Sequence, residues 1–153
     1  MKKLITYKKK RNLKKSGEPR AEIKQRKSIK TLSYVIQKHN ASHLHYDLRL
    51  EMNGVLKSWA IPKTPPKTKS EKRLAIQVEN HPLDYANFEG TIPKGNYGAG
   101  KVKIWDKGTY ELIEKTSKKI EIKIHGKKLK GNYVLVKTRY GSKPEKSWLF
   151  MKV

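Results

Sequence analysis

The stretch His39-Asn40-Ala41-Ser42-His43-Leu44-His45-Tyr46-Asp47-Leu48-Arg49-Leu50-Glu51-Met52-Asn53-Gly54 decides how this chain reads. From Leu44 it alternates strictly, with Leu44, Tyr46, Leu48 and Leu50 on one side and His45, Asp47, Arg49 and Glu51 on the other. Successive strand side chains point to opposite faces. A strand here therefore buries four apolar groups and aligns an imidazole, a carboxylate and a guanidinium on its other face. Asn53-Gly54 ends it with a strong two-residue hairpin signal, because both central positions of the favoured turn need positive φ. With those two residues as the loop, pairing follows by arithmetic. Leu48 faces Trp59 and Tyr46 faces Ile61 on the apolar side; Arg49 faces Ser58 and Asp47 faces Ala60 on the polar side. Small partners beside the carboxylate and the arginine leave space for a metal and a substrate.

The preceding segment, Ser33 to His39, reads as another strand whose odd face carries Val35, Gln37 and His39. Three of the five histidines thus fall in one short stretch. Two imidazoles and a carboxylate form a common ligand set for a divalent metal, and a neighbouring arginine suits a phosphoryl oxygen. Histidines on an open strand face are ordinarily just solvated. The combination of ligand types in register on one face makes a metal site formed by His39, His45 and Asp47 the better reading.

Composition narrows the partners. The 153 residues suit one domain with a real core. Lys+Arg 37 against Asp+Glu 13 gives a net charge of +24, the electrostatic footprint of a protein that meets a polyanion, nucleic acid first. An anionic membrane surface is the second candidate, but the basic residues are scattered through strand-like segments rather than gathered on an amphipathic helix. There is no cysteine, so any metal is held by nitrogen and oxygen. Neither a signal peptide nor an apolar run of transmembrane length is evident, and the expectation is a soluble, cytoplasmic protein.

Residues 1 to about 30 are dense in lysine and read as a largely unstructured basic arm, with a turn at Ser16-Gly17-Glu18-Pro19. Pro62, Pro65 and Pro66 break the pairing after the hairpin. Arg73 to Glu79 alternates again, with Leu74, Ile76 and Val78 inward and Arg73, Gln77 and Glu79 outward. Further strands are expected at 101–106, 109–113, 120–125, 132–138 and 147–152. Gly95-Asn96-Tyr97-Gly98-Ala99-Gly100 lacks the lysine-hydroxyl pair of a phosphate loop and reads as a tight β connection. Many short strands with no convincing long helix mean a small all-β barrel or sandwich.

With these residues assembled, the chain resembles the 3′-phosphoesterase family, found as the N-terminal domain of bacterial DNA ligase D and as stand-alone archaeal and bacterial proteins. The resemblance runs from about Tyr7 to the C-terminus. It is carried by Gln37-Lys38-His39, His45-Tyr46-Asp47-Leu48-Arg49-Leu50-Glu51, Leu56-Lys57-Ser58-Trp59-Ala60-Ile61-Pro62-Lys63 and Arg73-Leu74-Ala75. It continues through Val78-Glu79-Asn80-His81-Pro82-Leu83-Asp84-Tyr85, Phe88-Glu89-Gly90 and the Gly95–Gly100 segment.

The resemblance implies a mainly β protein: a small single-domain β-barrel of short antiparallel strands over 31–153, with a basic N-terminal arm, 1–30, contributing to the active site. It implies an Mn²⁺-dependent enzyme (other divalent metals are compatible) that removes a 3′-terminal ribonucleoside from primer-template DNA and hydrolyses the remaining 3′-phosphate during non-homologous end joining. His39, His45 and Asp47 match the metal ligands. Arg49 and His81 match residues on the scissile phosphate, with Lys63, Arg73 and Tyr85 also in the site, and His81 or Tyr85 as the donor of a proton to the leaving O3′. Gln37, Glu79, Arg11 and Glu18 match positions tied to the ribonuclease step. One departure stands out: the family's Arg-Asp-Phe reads Arg11-Asn12-Leu13 here, without the carboxylate. The implied partners are DNA 3′ ends and a separate ATP-dependent ligase and polymerase, with no membrane.

Two other classes compete. His45 and Asp47 with distant His125 also fit the facial triad of an iron/2-oxoglutarate oxygenase, with Arg139 as a carboxylate clamp. That assignment leaves His39 and His81 unexplained. A non-enzymatic basic DNA-binding protein accounts for the charge but not for the aligned polar face.

Overall fold

A computed structural model describes residues 2–21 and 31–153; residues 22–30 of the expected arm lie outside the described residues. Nine strands follow two short helices. The helices are α1 (Ile5–Lys10) and α2 (Leu13–Ser16), and the strands begin with β1 (Leu32–Asn40), β2 (Leu44–Met52), β3 (Val55–Ile61) and β4 (Lys72–His81). Then come β5 (Gly90–Ile92), β6 (Gly100–Lys115), β7 (Lys119–His125), β8 (Lys130–Lys137) and β9 (Ser147–Lys152). Every pairing is antiparallel, in the order β1-β2-β3-β4-β9-β8-β7-β6, and β1 pairs back onto β6. Eight strands close a barrel whose interior side chains fill, and β5 adds to one end of β6 from outside the ring.

The β2–β3 hairpin has the register expected from its turn: Tyr46 opposite Ile61, Asp47 opposite Ala60, Leu48 opposite Trp59 and Arg49 opposite Ser58. Asn53 and Gly54 both take positive φ. One side of that hairpin supplies Tyr46, Leu48, Leu50, Trp59 and Ile61 to a core shared with Ile36, Ile122, Leu135 and Phe150 from around the ring. Each fully buried aliphatic or phenyl group there contributes roughly 1.5–3 kcal/mol. Leu44, expected to be buried with them, is exposed, because it lies at the strand end beyond the closed part of the core.

Two strand expectations need correction. Residues 101–106 and 109–113 are parts of one long strand, β6, rather than two. Its Gly108 lets the backbone pass close to β7, since a Cβ there would lie 2.1 Å from the His125 carbonyl oxygen. In β4 the phase is opposite to that expected over 73–78, with Arg73 paired with core Phe150 and Leu74 with Leu149 outside that core. Ala75 is buried in the barrel core and Gln77 pairs with Trp59, whereas Val78 pairs with Ser58 on the outer face. Two tryptophans explain the inversion. Trp59 and Trp148 pack edge-to-face at 6.1 Å inside the ring, leaving room on β4 for an alanine and for Gln77, whose Oε1 accepts from Trp148 Nε1 at 3.1 Å. An irregularity before His81 then returns that residue to the outer side, opposite Leu56.

The expectation of an unstructured arm fails for residues 4–21. Leu4 and Tyr7 are buried in a second, smaller core with Val35, Leu56 and Tyr85, on the outside of the barrel wall. The sequence carries this signal weakly, as two apolar residues among lysines. No helix of the described residues is long and apolar enough to cross a membrane.

Candidate metal centre and cleft

Alternation puts the even residues of β2 into the barrel, so its odd residues project onto the outer wall. There the neighbouring strands contribute Gln37 and His39 from β1 and Ser58 and Ala60 from β3. The N-terminal helices lie over this wall and convert an open polar face into a cleft of about 310 Å³. Asp47, Arg49 and His81 are 5%, 3% and 2% exposed. A buried charge of this kind is tolerated only when paired and hydrogen-bonded.

At one end of the cleft, His39, His45 and Asp47 bring one ligand atom each to within 4.8 Å of one another. Backbone carbonyls set both imidazoles. His39 Nε2 lies 2.7 Å from the Gly98 carbonyl and His45 Nδ1 lies 3.0 Å from the His43 carbonyl. A carbonyl only accepts, so those nitrogens carry the hydrogens, and the opposite nitrogens present lone pairs. Those lone-pair atoms, His39 Nδ1 and His45 Nε2, face Asp47 Oδ2 at 3.6 and 3.3 Å. Three converging bases call for a cation between them. Burial opposes ionisation of Asp47, but the Arg49 guanidinium and the two imidazoles hold its carboxyl far below the usual range. Burial opposes protonation of His45, yet its bond to Asp47 outweighs this and raises its pKa. A proton satisfies the trio in part; a divalent ion satisfies all three.

Arg49 is held on every side. Its Nε donates to Gln37 Oε1 at 2.6 Å, its Nη1 to Ser58 Oγ at 2.9 Å, and its Nη2 lies 3.5 Å from Asp47 Oδ2. Gln37 in turn donates to the carbonyls of Tyr85 and Phe88, tying the turn Leu83–Asn87 to the wall. The Tyr85 ring lies under the guanidinium at 4.7 Å. His81 sits between two arginines: Arg11 Nη2 lies 3.1 Å from its Nε2, and Arg49 Nη1 lies 3.1 Å from its Nδ1, which also faces the Glu79 carbonyl at 3.0 Å. Burial, then Arg49 and Arg11, push its pKa well down, so it is neutral. Tyr85 donates to Glu18 Oε2 at 2.6 Å, and burial raises its hydroxyl pKa. The hydroxyl hydrogen of Tyr85, one of the two groups expected to protonate a leaving oxygen, is therefore already engaged.

Arg11 joins the N-terminal segment to this network. It donates to Glu18 at 2.9 Å and to Glu79 at 2.9 Å, and lies 4.3 Å from the Tyr7 ring centre. Arg11→Ala would leave two buried carboxylates short of a partner, an expected destabilisation of about 3 kcal/mol. Arg11→Lys should recover little of it, because one ammonium does not reproduce the planar fork. Urea unfolding of the three proteins checks both statements.

Ten of the twelve expected site residues meet in this one neighbourhood. Lys63 and Arg73 do not line the cleft: Lys63 is exposed after β3, and Arg73 is bonded to the Thr64 carbonyl and Glu71. His125 pairs with Glu111 at 2.6 Å and Arg139 borders a different hollow, so the oxygenase constellation does not form. Sequence reasoning passed over Tyr97 and Gly98. Tyr97 lines the cleft and meets Lys10 and Arg11, and Gly98 holds His39 through its carbonyl. The glycine-rich run was the available signal. Gly98 takes φ +74, and a Cβ at Gly100 would lie 2.0 Å from the Asn40 carbonyl oxygen, which brings this loop onto the ligand strand.

Comparison with known proteins finds one family and several relatives. The family described as the DNA Ligase D 3′-phosphoesterase domain matches residues 37–137. The multifunctional non-homologous end joining protein LigD of Pseudomonas aeruginosa is 44% identical over 154 residues, covering 97% of this chain and 18% of that protein. The protein of the same name from Mycolicibacterium smegmatis is 43% identical over 159 residues, covering 96% and 20%. The non-homologous end joining DNA repair protein LigD of Mycobacterium tuberculosis is 49% identical over 110 residues, covering 69% and 14%. The chain spans a fifth or less of the length of these relatives.

Proposed function

This chain belongs to the DNA ligase D 3′-phosphoesterase domain family, and from that premise we propose that it is a metal-dependent hydrolase that heals DNA 3′ ends for non-homologous end joining. Its substrate is a 3′-phosphate, or a 3′-terminal ribonucleotide, on a primer-template. The observation that carries the reading is the convergence of three lone-pair atoms beside a buried, four-way-held arginine. His39, His45 and Asp47 would hold the ion, with Mn²⁺ as the proposed metal. Bound there, it would neutralise phosphoryl charge and acidify a coordinated water.

The protein's own residues supply the rest. Arg49, preorganised by Gln37, Ser58 and Tyr85, stabilises the charge that grows on the phosphoryl oxygens in the transition state. Neutral His81 holds Arg11 in line with it. Glu18, Glu79 and Arg11 form the wall that a terminal ribose meets. Lys63, on the 62–71 loop, and Arg73, at the start of β4, stand outside the cleft and are assigned to contacts with the DNA strand that leads into it. In this reading residues 1–30 are an arm that completes the site, and 31–153 are the barrel that carries it. A separate ligase and polymerase would act on the healed end.

The test is phosphate release from a 3′-phosphorylated primer-template with Mn²⁺, beside a 3′-ribonucleotide substrate. Release from neither would overturn the reading.

The exposed lysines of the arm should act differently from Arg49. Lys8, Lys9, Lys14 and Lys15 are exposed, whereas Lys10 is bonded to Glu79 at 3.0 Å and belongs to the site. Replacing Lys8, Lys14 and Lys15 by Ser should reduce the log–log salt slope of DNA binding by up to about 0.9 per lost phosphate contact. KM should rise while kcat holds; filter binding across a salt series, with steady-state kinetics, measures both.

A further inference from the structure

In a closed barrel the inward positions of each strand are expected to be apolar, and through most of this ring they are. At the two ends they are not: Lys38, Arg73 and Lys152 pair with core Tyr46, Phe150 and Tyr133 at one, and a tighter cluster closes the other. Lys57 of β3 is paired with core Leu50, Lys115 of β6 with core Ile120, and Lys137 of β8 with core Trp148, so all three lysines take inward register. Gln77 of β4, paired with core Trp59, joins them. Together they ring a hollow of about 500 Å³ floored by Trp59 and Trp148. The hollow shares no residue with the metal cleft, from which the barrel wall separates it.

Among the described residues, no carboxylate lies within ion-pair distance of these three lysines; Lys137 Nζ donates to the Glu145 backbone carbonyl and sits 5.3 Å from the Trp148 ring centre. Burial, together with the neighbouring Lys115, lowers the pKa of Lys57. Gln77 spends its Oε1 on the Trp148 indole, which leaves its amide hydrogens as donors. Scattered surface lysines on a chain this basic call for no ligand. Three inward ammoniums on non-adjacent strands, over an indole floor and without a counter-charge, are a different arrangement. It suits a compact anion of high charge density with several acceptor oxygens.

We propose that this barrel mouth is a second anion site, one that takes a phosphate dianion. The group is either free phosphate or the terminal phosphate of a nucleic acid strand. The proposal stands apart from the catalytic reading and survives its failure.

The experiment compares Lys57→Gln/Lys115→Gln with a control of equal charge loss, Lys123→Gln/Lys130→Gln, both positions of the control being exposed and away from the mouth. Tryptophan fluorescence reads occupancy directly, since Trp59 and Trp148 form the floor. The probes are inorganic phosphate, a 5′-phosphorylated oligonucleotide and its 5′-hydroxyl counterpart. The mouth variant should weaken binding of a phosphate-bearing probe by about tenfold or more, with the control within about twofold and kcat for 3′-phosphate hydrolysis unchanged. Loss confined to the phosphorylated oligonucleotide assigns the site to a strand end, and loss with inorganic phosphate assigns it to the free anion; either supports the proposal. Single Lys115→Gln, at an exposed position on the rim, repeats the test should the double variant fold poorly. Equal effects of mouth and control variants on all three probes would overturn it.

Discussion

Replacing Asp47 by asparagine is expected to remove the bound metal and lower phosphoesterase turnover by at least about a hundredfold, the scale for losing one preorganised charge contact. The amide is nearly isosteric, so the loss reports charge rather than shape. In the folded protein the Asp47 carboxylate lies between His39 Nδ1, His45 Nε2 and Arg49 Nη2 at 3.3–3.6 Å. Without it the two imidazoles form a weaker, uncharged ligand pair beside a cation that repels any divalent ion. The same change removes the counter-charge from buried Arg49, so a stability loss of about 3 kcal/mol should accompany it. Metal analysis of the purified variant, circular dichroism and phosphate release are the three readouts. Full metal content with normal turnover would remove Asp47 from the ligand set.

Arg49→Ala should lower kcat by about a hundredfold or more while metal content stays near that of the parent protein. The reason is positional. Gln37, Ser58, Tyr85 and Asp47 together fix the guanidinium, so its orientation is set before substrate arrives. Arg49→Lys should not restore activity, because one ammonium cannot bond Gln37 and Ser58 and still present a planar fork to phosphate. An effect confined to KM and the salt slope would make Arg49 one more DNA-binding charge.

The parts of this site that were legible in the sequence are those fixed by local rules. Strict alternation over 44–51 and the Asn53-Gly54 turn determine both the β2–β3 register and the face shared by His45, Asp47 and Arg49. His39 follows from the alternation of the strand before. The phase of β4 was hidden because Leu74, Ile76 and Val78 satisfy an alternation rule as well as any core strand. Only the two tryptophans across the barrel make Ala75 and Gln77 the inward pair. The ordered N-terminal helices were hidden for a related reason. Leu4 and Tyr7 are few among lysines, and the surface that buries them comes from Val35, Leu56 and Tyr85, far away in sequence. Gly98's hold on His39 is a carbonyl contact, which no residue type announces.

The most direct measurement of the central claim, that His39, His45 and Asp47 form a metal centre that serves phosphoester hydrolysis, is single-turnover phosphate release from a 3′-phosphorylated primer-template. It is made on one preparation, as purified, after chelation to verified metal-free state, and after titration with Mn²⁺. The account predicts loss of release on chelation and recovery that saturates at one metal ion per chain, with no recovery in His39→Ala or His45→Ala. Undiminished release from the verified metal-free protein, or equal recovery in those variants, would contradict it.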